Sequence, residues 1–253
     1  RVFVSASQAD SGIVETMRRS IFLTAALLVS YCVLCNLSWA AGPPADGEYF
    51  VYIGTYTRNP SKGVYGFRFN TSTGKLTSLG LMAEIPSPSF MAANPNGRFL
   101  YTSNEREYNE VMGNKVSTFA IDPENGRLTL LKRTSSQGDG PAHIAVDRTG
   151  KALIVANYRG GNVAVLPIQS DGTLAEATSV DQHYGQGGDP NRQAGPHAHG
   201  IAISPDNRYA LIAEHGIDQV MIYRFDAAKG TIVPANPPSF KEPPAQAPWH
   251  VRF

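Results

Sequence analysis

Apolar and polar residues alternate along most of this chain with a period of two, not 3.6. "HIAVD" (143–147) alternates, "KALIVAN" (151–157) is a nearly unbroken apolar run, and "NVAVLPI" (162–168) alternates again. Alternation marks a strand with one wetted face, and a short apolar run marks a strand covered on both faces. Between the first two lies the turn "DRTGK", and related turns, "NPNGR" and "SPDNR", occur earlier and later. Asn, Asp and Gly tolerate the positive φ that tight hairpins require. A third strand follows each time ("KVSTFAID", "NVAVLPI", "QVMIYRF"), then a turn and a fourth ("ENGRLTLL", "SDGTLAEA", "AKGTIVPA").

These units repeat. "PSFMAANPNGRFLYTSNE" from Pro88, "PAHIAVDRTGKALIVANY" from Pro141 and "AHGIAISPDNRYALIAEH" from Ala198 align without gaps, and "PWHVRF" from Pro248 begins a further copy. The starts are 53, 57 and 50 residues apart. Asn94, Asp147 and Ser204 share a column, as do Gly97, Gly150 and Asn207 at the turn, and Asn104, Asn157 and Glu214 at the end of the second strand. Four-stranded antiparallel meanders of about 50 residues predict an all-β chain built as a β-propeller. "YFVYIGTYT" (Tyr49 onward) enters at a second strand and "PWHVRF" stops at a first strand, so about four blades are expected, with "PWHVRF" forming an inner strand.

The N-terminal region departs from this pattern. After Met17, Arg18 and Arg19 precede a mostly apolar stretch, Ile21 to Leu37, and Ser38-Trp39-Ala40 offers the small residues a signal peptidase reads. The stretch is interrupted and is followed at once by Gly42-Pro43-Pro44, which favours a cleaved secretory leader over a membrane anchor. The expected organisation is an upstream extension (1–16), a leader (17–40) cleaved near Ala40, a linker (41–47) and an incomplete propeller (48–253), placing the mature chain in the periplasm or outside the cell. Both cysteines, Cys32 and Cys35, fall in the leader, so the mature chain is expected to carry no disulfide and no thiol chemistry. Removing residues 1–40 takes three of 22 basic and two of 21 acidic residues, leaving no net charge. Neither nucleic acid nor, after cleavage, a membrane is an expected partner.

Histidine is scarce, six in all, yet His197, His199 and His215 fall within "GPHAHGIAISPDNRYALIAEHG". His143 and His250 share the P-x-H column, with His199 offset by one. Loops collect at the mouths of a propeller's channel, so several imidazoles are expected at one rim. Imidazole suits proton transfer near neutral pH; equally, each ring would serve by bonding a neighbouring blade's backbone. His-x-His also supplies two zinc ligands, with Glu214 or His143 as a third, but no compact third-ligand motif stands in the sequence. Glu214 replaces the amides Asn104 and Asn157, adding a titratable charge where the neighbours cap a strand end. Arg192 lies in the Gly/Pro-rich insertion "YGQGGDPNRQAGPHAH", and Arg106 and Arg159 lie in other loops; a guanidinium grips phosphate or carboxylate with two prongs.

"GTYT", "NPNGRFLYTSNE", "RQAGPHAHGIAISPDNR" and the P-x-H starts together resemble the lactonase family of seven-bladed propellers, which includes propeller-type 6-phosphogluconolactonases and 3-carboxy-cis,cis-muconate cyclases. The resemblance spans residues 48–253. It implies seven blades, which at about 50 residues each require roughly 350 residues, so the present sequence would be truncated. It implies hydrolysis of a sugar lactone by a monomer, with a small-molecule lactone as the partner and neither metal nor organic cofactor. The implied catalytic set is His143, Arg192, His197 and Glu214; His199, Arg159, Asn157 and His250 are the expected substrate contacts. A histidine or Glu214 would activate water, and Arg192 or a second histidine would stabilise charge. No Gly-x-Ser-x-Gly elbow is present, so no acyl-enzyme is indicated. A muconolactone-forming lyase and a non-catalytic secreted binding propeller are the alternatives.

Overall fold

The computed structural model describes residues 2–6, 47–58, 60–107 and 112–253. The expected leader lies outside the described residues. The described chain is all-β, with sixteen strands in four sheets of four. In the first sheet β1 (Val2–Ala6) runs parallel to β2 (Glu48–Gly54), which continues antiparallel through β3 (Gly63–Asn70) to β4 (Leu76–Glu84). The other three are antiparallel meanders: β5 (Pro88–Ala93), β6 (Phe99–Arg106), β7 (Met112–Ile121), β8 (Leu128–Ser135); β9 (Pro141–Val146), β10 (Ala152–Asn157), β11 (Asn162–Pro167), β12 (Ser179–Gln182); and β13 (Ala198–Ile203), β14 (Tyr209–Glu214), β15 (Gln219–Asp226), β16 (Thr231–Lys241). The turn column behaves as its residues dictate, with φ of 71° at Gly97, 68° at Gly150 and 63° at Asn207.

Two ends differ from expectation. The inner edge of the first sheet is occupied by β1, from residues upstream of the expected leader. "PWHVRF", expected as an inner strand, forms no ladder. A strand exists only with a paired neighbour, and no described segment pairs with it. Its backbone lies instead against Gly200 of β13, where an added Cβ would come within 2.6 Å of Trp249 O.

Three apolar cores fill the seams between consecutive sheets. Strand β10 shows how alternation builds two of them at once. Ala152, Ile154 and Ala156 face the fourth sheet, beside Ile212 and Phe225. Leu153 and Val155 face the second, beside Phe99 and Tyr101. Both faces are covered, which explains the unbroken apolar run. The seams are also keyed. Tyr52 Oη donates to Gly126 O at 2.6 Å and Tyr101 Oη to Gly172 O at 2.9 Å, each reaching the outer hairpin of the next sheet. Phe50 and Phe99, two residues before each tyrosine, lie so close over these glycines that a Cβ would meet the rings at 2.7 and 2.4 Å.

Candidate functional site

Two sets of equivalent positions converge at one mouth of the assembly. The second residues of the inner segments, Ser89, Ala142, His199 and Trp249, form one set. The other follows the second strands. There alternation splits neighbours: Asn104, Asn157 and Glu214 turn into the seams and are fully buried, while Glu105 and Tyr158, one residue on, turn to the mouth. With Tyr56, Phe90 and His250 these residues line a cleft of about 260 Å³. Tyr56 Oη donates to Glu105 Oε2 at 2.6 Å, fixing one carboxylate at the edge.

Tyr158 is the hub. Its ring stacks on His197 at 4.6 Å between centroids, meets His199 edge-on at 5.9 Å, and lies 5.7 Å from His215 and 6.1 Å from Trp249. Each of these imidazoles is fixed the same way. His197 Nδ1 lies 2.9 Å from Tyr158 O, His199 Nδ1 3.0 Å from Trp249 O, and His215 Nδ1 3.2 Å from Ala247 O. A carbonyl only accepts, so every Nδ1 carries a hydrogen, and in a neutral ring the lone pair is on Nε2. Burial, chiefly, pushes the His199 pKa down to about 4 against the support of the Trp249 carbonyl. Burial also lowers His215, with Arg192 adding to it. Tyr158 is pushed up by burial, an effect that the positive charge of Arg192 opposes and Glu214 and Glu105 reinforce.

A buried carboxylate organises this mouth from behind. Asp218, at the turn after β14, accepts from Gly188 N and Ala245 N on Oδ2, both at 2.8 Å. Its Oδ1 accepts from Gln193 Nε2 at 2.7 Å and Ala247 N at 2.8 Å. Gln193 in turn donates to His215 O at 2.6 Å. One side chain thus ties the insertion that carries Arg192 to the segment that carries Trp249. Burial opposes the charge, but these four donors hold the Asp218 pKa down to about 2.

The family model for "Lactonase, 7-bladed beta-propeller" matches residues 50–253. The chain belongs to the lactonase family. Within it, the chain is 32% identical over 206 residues to a 6-phosphogluconolactonase of Bacillus subtilis, covering 81% of this chain and 56% of the relative. It is 27% identical to a 6-phosphogluconolactonase of Formosa agariphila, over 80% of this chain and 58% of the relative. The solved structure of a Pseudomonas aeruginosa periplasmic gluconolactonase superposes with a TM-score of 0.72 at 30% identity, covering 80% of this chain and 58% of that one. The chain therefore spans less than three-fifths of the length of these lactonase relatives.

Against this lactonase framework the expected site residues divide. His199 and His250 line the cleft. His197 and Arg192 stand beside it, joined to it through Tyr158. His143 packs against Phe90 at 3.7 Å between ring centroids and lies 6.0 Å from His250, but is 8% exposed and is not part of the lining. Its pKa falls to about 3, first through burial and then through His199, His250 and Arg252. Asn157 is buried and caps a seam, donating to Ser136 O. Arg159 is exposed, outside the lining. Glu214 is fully buried in the last seam, facing His183. Tyr158, Glu105, Tyr56, Trp249 and Asp218 went unnoticed in the sequence. Tyr158 and Glu105 follow the Asn/Glu column directly, which is the signal that would have found them. Among the described residues, no group of three or more His, Cys, Asp or Glu is placed to hold a metal ion.

Proposed function

We propose that this protein opens a sugar lactone by attack of water, in the manner of the 6-phosphogluconolactonases it resembles. The observation that carries the reading is the ring of imidazoles around Tyr158, each locked through Nδ1 with Nε2 available, one of them in the cleft. His199 is the base. Neutral at physiological pH, its Nε2 takes a proton from water as the water oxygen bonds to the carbonyl carbon. The Tyr158 hydroxyl, under the positive charge of Arg192, donates to the carbonyl oxygen as charge develops there. The ring C–O bond then breaks, the alkoxide takes the proton from His199, and the hydroxy acid leaves. Trp249, Phe90 and Tyr158 offer flat apolar surface to the C–H face of the sugar, and Glu105 accepts from its hydroxyls.

The leader-like pattern at residues 17–40 supports export, and outside the cytoplasm an unphosphorylated lactone is the available substrate. Acid release from glucono-δ-lactone and from its 6-phosphate, each measured against spontaneous hydrolysis, tests the reading. The wild type should accelerate at least one, and His199→Ala should lower kcat by about two orders of magnitude. Full activity in that variant, or no acceleration by the wild type, would sink it. Cell fractionation tests export separately.

A further inference from the structure

Every seam carries one polar contact where a second strand ends. At two of them an amide reaches a backbone carbonyl: Asn104 Nδ2 donates to Pro86 O at 2.7 Å, and Asn157 Nδ2 to Ser136 O at 2.8 Å. At the third the polarity is inverted. Glu214 replaces the amide, and the side chain of His183 replaces the carbonyl, with Nδ1 3.6 Å from Glu214 Oε1. Both side chains are wholly buried, and neither facing atom has a hydrogen-bond partner. His183 is gripped from its other side. Its Nε2 lies 2.8 Å from Tyr223 Oη, and that hydroxyl donates to Asp181 Oδ2 at 2.6 Å.

Counting protons fixes the state of this chain of groups. Tyr223 has one hydroxyl proton and gives it to Asp181, so its oxygen accepts from His183 and Nε2 bears a hydrogen. Nδ1 then faces a carboxyl oxygen in a dry seam. Two lone-pair atoms confronting each other there, one of them charged, are strongly unfavourable, so the pair holds one proton between them. The Asp181 carboxylate, acting through Tyr223, favours the imidazolium and leaves the charge on Glu214. Glu214 Oε2 uses that charge, accepting from Gly216 N at 3.2 Å. The groups that feel it are His215, Tyr158 and Tyr223, all of which hold their protons more tightly for it. Arg192 acts on His215 and Tyr158 in the opposite sense, and His197 opposes it at His215.

We propose that His183 is a positioning residue: gripped by Tyr223 and Asp181, it keeps Glu214 a carboxylate in the last seam, the buried counter-charge to Arg192 across the Tyr158–His215 side of the mouth. Its kinetic consequence rests on the lactone-opening reading; its protonation state does not. Long-range 1H–15N spectra of the whole protein at pH 7 should show both His183 nitrogens protonated, and Tyr223→Phe should return the ring to a neutral form. A neutral His183 in the wild type overturns the proposal. The paired variant Glu214→Asn with His183→Ser copies the Asn157–Ser136 seam. It should fold, yet lose about ten-fold in kcat with KM changed less than two-fold. Wild-type kcat in that variant overturns the proposal in favour of a purely structural pair. If the paired variant does not fold, Tyr223→Phe, which removes a single oxygen, is read in the same way. If the wild type turns over no lactone, the enzymatic reading fails alone, and the nitrogen spectra still decide the state of His183.

Discussion

Replacing Asp218 by Asn changes one oxygen into an NH2 group at a point where four donors converge. Whichever way the amide turns, two donors lose their acceptor and face a donor instead: Gly188 N and Ala245 N, or Gln193 Nε2 and Ala247 N. Hydrogen bonds to a charged group contribute about 1.5–3 kcal/mol each, and a buried donor left unpaired costs about 1–3 kcal/mol. Two such losses come to about 3–6 kcal/mol, set against a stability of about 5–15 kcal/mol for a whole domain. The loss falls on the insertion and the Trp249 segment, which stand outside the three apolar cores, so local opening should precede global unfolding. Amide exchange at Gly188, Ala245 and Ala247 should accelerate by about two to four orders of magnitude, at about 1.4 kcal/mol per decade. Because the folded carboxyl titrates at about 2 rather than its ordinary 3.8, the wild-type clamp is intact above about pH 4 and is lost as pH falls toward 2. The variant should show no such acid step. Exchange rates within three-fold of wild type would refute the assignment of Asp218 as the clamp.

Gly172→Ala should cost about 2–4 kcal/mol, because φ is +84° and the new Cβ would lie 2.4 Å from the Phe99 ring. Gly74→Ala, with φ of +68° and open space, should cost only about 1 kcal/mol by urea denaturation. Ile154→Ala, fully buried between the third and fourth sheets, should lower stability by about 2–5 kcal/mol in the same assay. His143 titrates near 3 when folded and near 6.5 when unfolded, so the unfolded chain binds the proton first and stability falls as pH drops below 6.5. His143→Phe, which copies Phe90 of the same column, should therefore flatten the pH dependence of the urea midpoint between pH 6.5 and 4, by up to about 1.4 kcal/mol per pH unit.

The strands were legible because period-two alternation and Asx/Gly turns are local signals, and the three aligned units repeat them in register. The unbroken "KALIVAN" run announced a strand covered on both faces, and β10 is one. What lay beyond reach was the direction of each strand end. The Asn104–Asn157–Glu214 column stood out for its chemistry, but alternation sends that column into the seams and its successors, Glu105 and Tyr158, to the cleft. Pairings across long separations were equally hidden: His183 gave no local cue that it would meet Glu214, and Asp218 none that it would tie residues 188 and 245. The parallel placement of β1 and the unpaired path of "PWHVRF" depend on which strand edges are open, which no window of sequence reports.

The aromatic rings resting on Gly126 and Gly172 have a geometric consequence. The absent methyl at each glycine sets how closely one sheet leans on the next. The spacing between sheets is then governed at their outer hairpins, far from the groups that face a ligand. Bulk added at those two outer positions would prise neighbouring sheets apart while leaving the lining side chains unchanged.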